Sequence, residues 1–244
     1  MTSPNELCFS IYQQTGEKCW FVGVTPEATW LDNLQTSQYH TTKETVMIVG
    51  ICGLIGSGKG TVADILTDQY GWTKISFADS LKDAVAAVFN WPRHLLEGDT
   101  ADSRTWREQV DTWWSARLGI ADLTPRWVLQ QWGTEVCRYG FHDDIWVASM
   151  ENKMQDQSRN YVIPDTRFPN EIDMIARNHG QTWWIRRGLD PQWFSDWRNG
   201  HDSVLTRSDI HPSEYMWARS RFHAVIDNGG SLDQLQAKIA QLIC

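Results

Sequence analysis

Basic residues are in short supply in this 244-residue chain: 22 lysines and arginines face 30 aspartates and glutamates, for a net charge of −8. That balance argues against a protein that coats nucleic acid nonspecifically, because such binding draws on many cations meeting phosphates. It leaves room for a small phosphorylated substrate held by a few local arginines. Cysteine is scarce too. The five present (Cys8, Cys19, Cys52, Cys137 and Cys244) are odd in number and lack metal-ligand spacing, which reads as reduced thiols of a cytoplasmic protein with no metal bound by the chain itself. No apolar run approaches the roughly 20 residues of a membrane helix, and no basic-then-apolar leader opens the chain. Neither secretion nor membrane insertion is expected. Internal repeats and low-complexity tracts are also missing. What remains, 41% hydrophobic and 21% charged, suits a folded globular protein. Tryptophan is the one excess, with 15 copies, most of them expected in packing.

Residues 1–46 read as a small N-terminal module. Leu7, Phe9 and Ile11 alternate, Thr15-Gly16-Glu17 interrupts, and Trp20, Val22 and Val24 alternate again, the pattern of a β-hairpin. Pro26 is placed to begin a short helix to Leu34, and residues 35–44 read as a linker. From Val46 strands and helices alternate. Val46–Cys52, Trp72–Phe77, Tyr161–Pro164, Thr182–Arg186 and His223–Ile226 are the expected strands. Helices are expected after the first glycine-rich turn, around Leu81–Val88, around Trp106–Leu118, from Pro125 to about Arg138, over Asp143–Lys153 and Pro169–His179, and after a Ser231 cap. Trp183 and Trp184 should face opposite sides of a buried strand. The expected fold is α/β: a central, mostly parallel five-stranded sheet flanked by helices, plus the N-terminal hairpin.

Gly53-Leu54-Ile55-Gly56-Ser57-Gly58-Lys59-Gly60-Thr61 is the most specific signal. It follows an apolar strand and opens an amphipathic helix, the context a phosphate-binding P-loop requires. Glycines let backbone N–H groups turn around phosphate oxygens, the helix N-terminus adds positive potential, and Lys59 adds a mobile full charge. Gly53, Ile55, Gly56, Ser57, Gly58, Lys59, Gly60 and Thr61 are therefore the candidate ATP-binding residues. Gly60 stands where a Mg²⁺-ligating hydroxyl is usual, and the hydroxyl comes one residue later at Thr61. This Gly-Lys-Gly-Thr ending resembles adenylate-kinase-like nucleoside monophosphate kinases, which implies Mg²⁺ held largely through water and phosphate.

Further segments follow in order: Ser76-Phe77-Ala78-Asp79-Ser80-Leu81-Lys82, Arg126 to Gln130, Trp132-Gly133-Thr134, Trp146, Val162-Ile163-Pro164-Asp165-Thr166-Arg167 with Glu171, Arg186-Arg187-Gly188, His211-x-x-Glu214, and Asp227-Asn228-Gly229-Gly230. Together with the P-loop they resemble the bacteriophage deoxynucleoside monophosphate kinase family of the T-even type, over roughly residues 47–244. The resemblance implies ATP-dependent conversion of dNMP to dNDP during viral DNA precursor synthesis, with Mg²⁺. It implies a substrate site of Leu81, Lys82, Arg104, Arg126, Gln130, Gly133, Thr134, Trp146, Asp165, Arg167 and Glu171, of which the match at Arg104 is the weakest.

Elementary chemistry is compatible with that resemblance. A phosphate monoester has its second pKa near about 6, so its attacking oxygen is mostly deprotonated at neutral pH and needs no general base. It needs cations that hold two phosphate groups in line. Lys59 serves the donor, and Lys82, Arg126 and Arg167 are candidate clamps, with Lys59, Arg126 and Arg167 assigned to catalysis. Arg186 and Arg187 are candidates for a closing lid. His211 and Glu214 lack a third ligand at metal spacing and are given a structural or lid role. Two rival readings stand. One is a P-loop kinase of a hydroxyl acceptor, such as a dephospho-coenzyme-A-like molecule or a hydroxymethylpyrimidine, with Asp79 or Asp165 as base. The other is a nucleotide-binding module without turnover. The expected partner is a small dNMP, without stable nucleic acid, and a homodimer is left open.

Overall fold

The computed structural model describes residues 11–12, 18–19, 46–156 and 158–243. The chain divides between Lys43 and Glu44 into two units. In the first, Ile11–Tyr12 (β1) pairs antiparallel with Lys18–Cys19 (β2), Ile11 opposite Cys19. The remainder of the expected hairpin, the helix from Pro26 and the linker lie outside the described residues.

The second unit grows from Ile48–Cys52 (β3), which is buried at every position. Such a run pairs on both edges and is covered on both faces. Lys59–Tyr70 (α1) leads to Thr73–Lys74 (β4) and Asp79–Phe89 (α2). Four helices follow, Ala101–Arg107 (α3), Thr112–Leu118 (α4), Pro125–Gln130 (α5) and Ile145–Lys153 (α6). Tyr161–Ile163 (β5), Pro169–Arg177 (α7), Gln181–Arg186 (β6), Gln192–Arg198 (α8), Ala224–Asp227 (β7) and Leu232–Ile243 (α9) complete the chain. The sheet order is β4-β5-β3-β6-β7, and all four pairings are parallel. Because the chain leaves β3 toward one edge and later crosses to the other, the carboxyl ends of the central strands open a crevice, where ligands of such sheets bind. Among the described residues, no helix is long and apolar enough to cross a membrane.

The pleat sorts side chains to two cores. Val49, Ile51, Trp183 and Ile185 face α1 and α9, packing on Val62, Leu66, Leu235 and Ile239. Cys52 and Trp184 face the other side with Phe194, Trp197 and Trp217, so the two adjacent tryptophans do lie on opposite faces. Gly50 lets α7 close on the sheet: a Cβ there would sit 2.2 Å from Ile175 Cδ1. A third cluster, with Leu81, Val85, Phe89, Trp91, Leu96, Val128 and Trp146, forms the interior of a helical lobe above the sheet's carboxyl edge.

Several boundaries differ from expectation. The strand predicted over Trp72–Phe77 pairs only at Thr73–Lys74, because beyond Ile75 the backbone turns to bond Asp165. The single helix predicted around Trp106–Leu118 is two helices. Asp111 breaks it: its carboxylate accepts from the Trp114 N–H at 3.0 Å and the Trp91 indole at 2.8 Å, while its own N–H donates to Leu123 O. An N-cap that also anchors a distant tryptophan outweighs helix continuity. The helix from Pro125 continues past Gln130, but with widened turns over Gln131–Tyr139. There the Trp146 indole N–H takes the Gly133 carbonyl at 2.8 Å, and such inserted partners accompany widened helical turns near functional sites. Ser231 caps α9 as expected, exchanging bonds with Gln234.

Candidate active site

The P-loop is built by local backbone conformation. Gly56 and Gly58 have φ of 79° and 99°, a left-handed region that side chains with a Cβ rarely adopt. Gly58 is doubly constrained, since a Cβ would lie 2.2 Å from Asn228 Nδ2. That amide, at the end of β7, donates to Ser57 O at 2.9 Å and ties the loop to the last strand. Helix α1 starts at Lys59 with no side chain capping its free N–H groups, which leaves them for an anion. Beyond the adjoining chain, nothing among the described residues lies within 4 Å of a Cβ built at Gly56 or Gly60, so the loop is open at both glycines. Ser57 Oγ is buried without a hydrogen-bond partner.

Lys59 Nζ donates to Gly53 O at 2.7 Å and Leu54 O at 2.9 Å. Burial, and then the nearby Arg167, lower its pKa to about 8. This ammonium is hydrogen-bonded to two carbonyls but has no carboxylate within 4 Å among the described residues, and a phosphate is its natural complement.

A cleft of about 990 Å³ runs from this loop under the helical lobe. Leu81, Lys82, Arg104, Arg126, Gln130, Gly133, Thr134, Trp146, Asp165, Arg167 and Glu171 all line it with Ile55, Gly56, Lys59 and Gly60. The structure therefore brings all the expected acceptor residues and four of the eight expected ATP-binding residues to one cavity. Gly53 is buried behind the loop, and Ser57 faces a second cavity of about 450 Å³ that also contacts Arg186 and Arg187. Gly58 and Thr61 fall outside both linings.

Within the cleft the residues do different work. Lys82 pairs with Glu97 at 2.5 Å, Arg126 with Glu108 at 3.0 Å, and Arg167 with Glu214 at 2.9 Å. Each cation is thus oriented by a carboxylate from another segment. Glu214 is bound by Arg167 and His211 by the Ser213 hydroxyl at 2.9 Å, so this pair braces the cleft wall. Arg186 pairs with Asp190 at 2.8 Å and lies over Trp184.

Three expected substrate contacts turn out to be supports as well. Asp165 accepts from the Ser76 hydroxyl at 2.6 Å and from the Phe77 and Ala78 N–H groups at 3.1 Å each. It clamps the β4–α2 loop to the end of β5. Glu171 is 2% exposed and accepts from the Arg167 and Phe168 N–H groups and from Arg138, itself 4% exposed. Burial pushes Glu171 up to about 7, against the lowering influence of Arg138 and those N–H donors. Trp146 is 9% exposed, with its indole N–H spent on Gly133; it forms wall rather than a free stacking face. Sequence reasoning missed Arg138, whose guanidinium also stacks on Phe168 at 4.1 Å. Its only sequence signal is an arginine in a stretch that is otherwise a core helix. Glu97 and Arg107 were also missed, since the stretch around them carries no motif.

No family model matches the sequence. A curated protein of Acanthamoeba polyphaga mimivirus described as "Putative deoxynucleotide monophosphate kinase" is 27% identical over 213 residues, covering 81% of this chain and 96% of that one. Among solved structures, TT1252 from Thermus thermophilus is similar at 21% identity and TM-score 0.39, over 82% of this chain and 97% of the other. Dephospho-CoA kinase from Campylobacter jejuni is similar at 14% identity and TM-score 0.39, over 82% and 96%. Shikimate kinase from Aquifex aeolicus is similar at 7% identity and TM-score 0.38, over 81% and 96%.

Proposed function

We propose that this chain is an ATP-dependent kinase that phosphorylates deoxynucleoside 5′-monophosphates to diphosphates, acting in the cytoplasm in viral DNA precursor synthesis. One observation carries the reading: a single cleft joins the P-loop lysine to Lys82, Arg104, Arg126 and Arg167. Two phosphate groups brought into line repel each other, and these cations, with Lys82, Arg126 and Arg167 turning from Glu97, Glu108 and Glu214 to the ligand, offset the repulsion. A neutral hydroxyl acceptor calls for fewer. Similarity to the mimivirus protein, at 27% identity, supports the same substrate class.

The residues fit ATP, with the phosphates in the uncapped N-terminus of α1 and Lys59 at the transferring group. Gly60 offers Mg²⁺ no hydroxyl and Thr61 would provide the nearest one in the chain; the ion would supply charge neutralisation to the transferring phosphoryl group. The acceptor's own phosphate oxygen attacks, so no side chain has to remove a proton. Arg126 and Arg167 hold that phosphate by their planar forks, exchanging part of their contact with Glu108 and Glu214 for phosphate oxygens. Asp165 is a poor general base, because all its contacts are donors already committed to holding a loop. That weighs against the hydroxyl-acceptor reading, which then rests on Asp79.

A panel of the four dNMPs, the NMPs and dephospho-coenzyme A, each with ATP and Mg²⁺, tests the reading. Turnover of at least one dNMP is expected. Turnover of dephospho-coenzyme A or a hydroxymethylpyrimidine with none of the dNMPs would overturn it, and no ATP consumption with any acceptor would favour a binding module.

A further inference from the structure

Among the cations lining the cleft, Lys59, Arg104 and Arg107 have no carboxylate within 4 Å among the described residues, and of these Arg107 alone has a buried nitrogen without a hydrogen-bond partner. Lys82, Arg126, Arg138 and Arg167 are matched to Glu97, Glu108, Glu171 and Glu214. Arg104 is exposed and donates to Asp99 O at 3.0 Å. Arg107, at the end of α3, forms no ion pair within 4 Å among the described residues, and its Nε is buried without a hydrogen-bond partner. Burial, then the charge of Arg126, and also that of Arg167, lower its pKa, while Glu108 and Glu97 oppose them from a greater distance than an ion pair. A guanidinium desolvated among like charges is costly unless an anion arrives to compensate it.

Its seat is built for it. Gly98 has φ of 70°, and a Cβ there would lie 2.0 Å from Arg107 Nη2 and 2.1 Å from its Cζ. The guanidinium lies over the bare glycine backbone, and a side chain at position 98 would both strain that left-handed backbone and push this flexible group aside. Helix α3 is itself fixed at its start by Thr100, whose hydroxyl accepts from the Ser103 N–H at 3.1 Å while Ser103 reaches back to the Thr100 N–H at 3.1 Å. Gly98, Arg107 and Arg126 line the same cleft as Lys59.

Resting on the kinase reading above, we propose that Arg107, seated on Gly98, grips the 5′-phosphate of the acceptor nucleotide and is the residue that makes the site select a phosphorylated acceptor over the bare nucleoside. Arg126 and Arg167 have protein carboxylates to return to when the cleft holds no substrate; Arg107 has none within 4 Å among the described residues.

The test begins with the parent enzyme on dTMP, dGMP, dCMP and dAMP, and continues with whichever is turned over. Arg107→Met keeps the apolar stem and removes the fork. Loss of a charge-assisted phosphate contact should raise the KM for that dNMP on the order of ten- to a hundredfold, with the KM for ATP unchanged. Binding of the dNMP relative to its deoxynucleoside, measured by calorimetry, should fall by the same factor, whereas a merely structural arginine would weaken both alike. Arg107→Lys should recover only part of the loss. Gly98→Ala, which displaces the guanidinium, should reproduce the acceptor defect with the ATP site intact. Parental kinetics and an unchanged nucleotide-to-nucleoside ratio in Arg107→Met would overturn this inference while leaving the kinase reading standing. A parent that turns over none of the four dNMPs sinks the kinase reading and this inference with it, a result visible before any variant is made.

Discussion

Replacing Asp165 by asparagine separates a loop clamp from a general base. In the parent, one carboxylate oxygen accepts from the Phe77 N–H, and the other from the Ala78 N–H and the Ser76 hydroxyl. An asparagine has one acceptor oxygen. In either amide orientation its NH₂ group faces a backbone N–H, so at least one half-buried donor loses its partner, at a cost of about 1–3 kcal/mol. The surviving bonds change from charge-assisted to neutral, which removes roughly another 1 kcal/mol. A total near 2–4 kcal/mol lowers the melting temperature by about 5–15 °C in a domain of this size. Differential scanning calorimetry and steady-state kinetics on the same preparation read both quantities. The displaced loop carries Lys82 on the first turns of α2, so the KM for dNMP should rise severalfold while kcat changes little and its pH profile keeps its shape. An Asp165→Asn enzyme with parental stability whose kcat collapses with an altered pH profile would refute the clamp and restore the hydroxyl-acceptor reading.

Other outcomes follow from the same geometry. Lys59→Ala should lower turnover by on the order of 10²–10³ with the fold intact, as circular dichroism would confirm. Because burial and Arg167 hold Lys59 at about 8, the ammonium is charged below that pH and lost above it. The Kd for ATP should therefore weaken as pH rises through 8, and Arg167→Gln should move the break upward in a calorimetric titration; a break at the same pH would refute the coupling. Arg138→Leu strands the buried Glu171 carboxylate and should cost roughly 3–5 kcal/mol in chemical denaturation, with part of it recovered when Glu171→Leu is added. Deleting residues 1–45 should leave a folded, active enzyme, because the chain divides into two units between Lys43 and Glu44 and the five-stranded sheet belongs wholly to the second; an insoluble or inactive product would contradict this.

Sequence alone was enough wherever the determining interactions are local. The glycines and lysine of the P-loop are contiguous, and their backbone conformation is a property of the segment itself, so residues 53–61 were legible without a fold. The buried strands were legible for a similar reason: Ile48–Cys52 and the Trp183-Trp184-Ile185 centre of Gln181–Arg186 are apolar or aromatic runs whose burial on both faces demands a parallel, helix-covered sheet. Strand alternation even separated Trp183 from Trp184. Tertiary structure decided the rest, because a polar side chain's job depends on what stands opposite it. Asp165 and Glu171 are carboxylates of similar sequence setting, yet one clamps a loop 87 to 89 residues away and the other neutralises Arg138 from 33 residues away. The helix expected across 106–118 was split by Asp111, whose cap gains its weight from Trp91, 20 residues earlier. Arg107 is one arginine in a stretch without motif until the bare backbone of Gly98 and the missing carboxylate place it in the cleft as an unmatched charge. Periodicity and turn chemistry act over a few residues, whereas the pairing and desolvation of charge are set by neighbours that only the folded chain brings together.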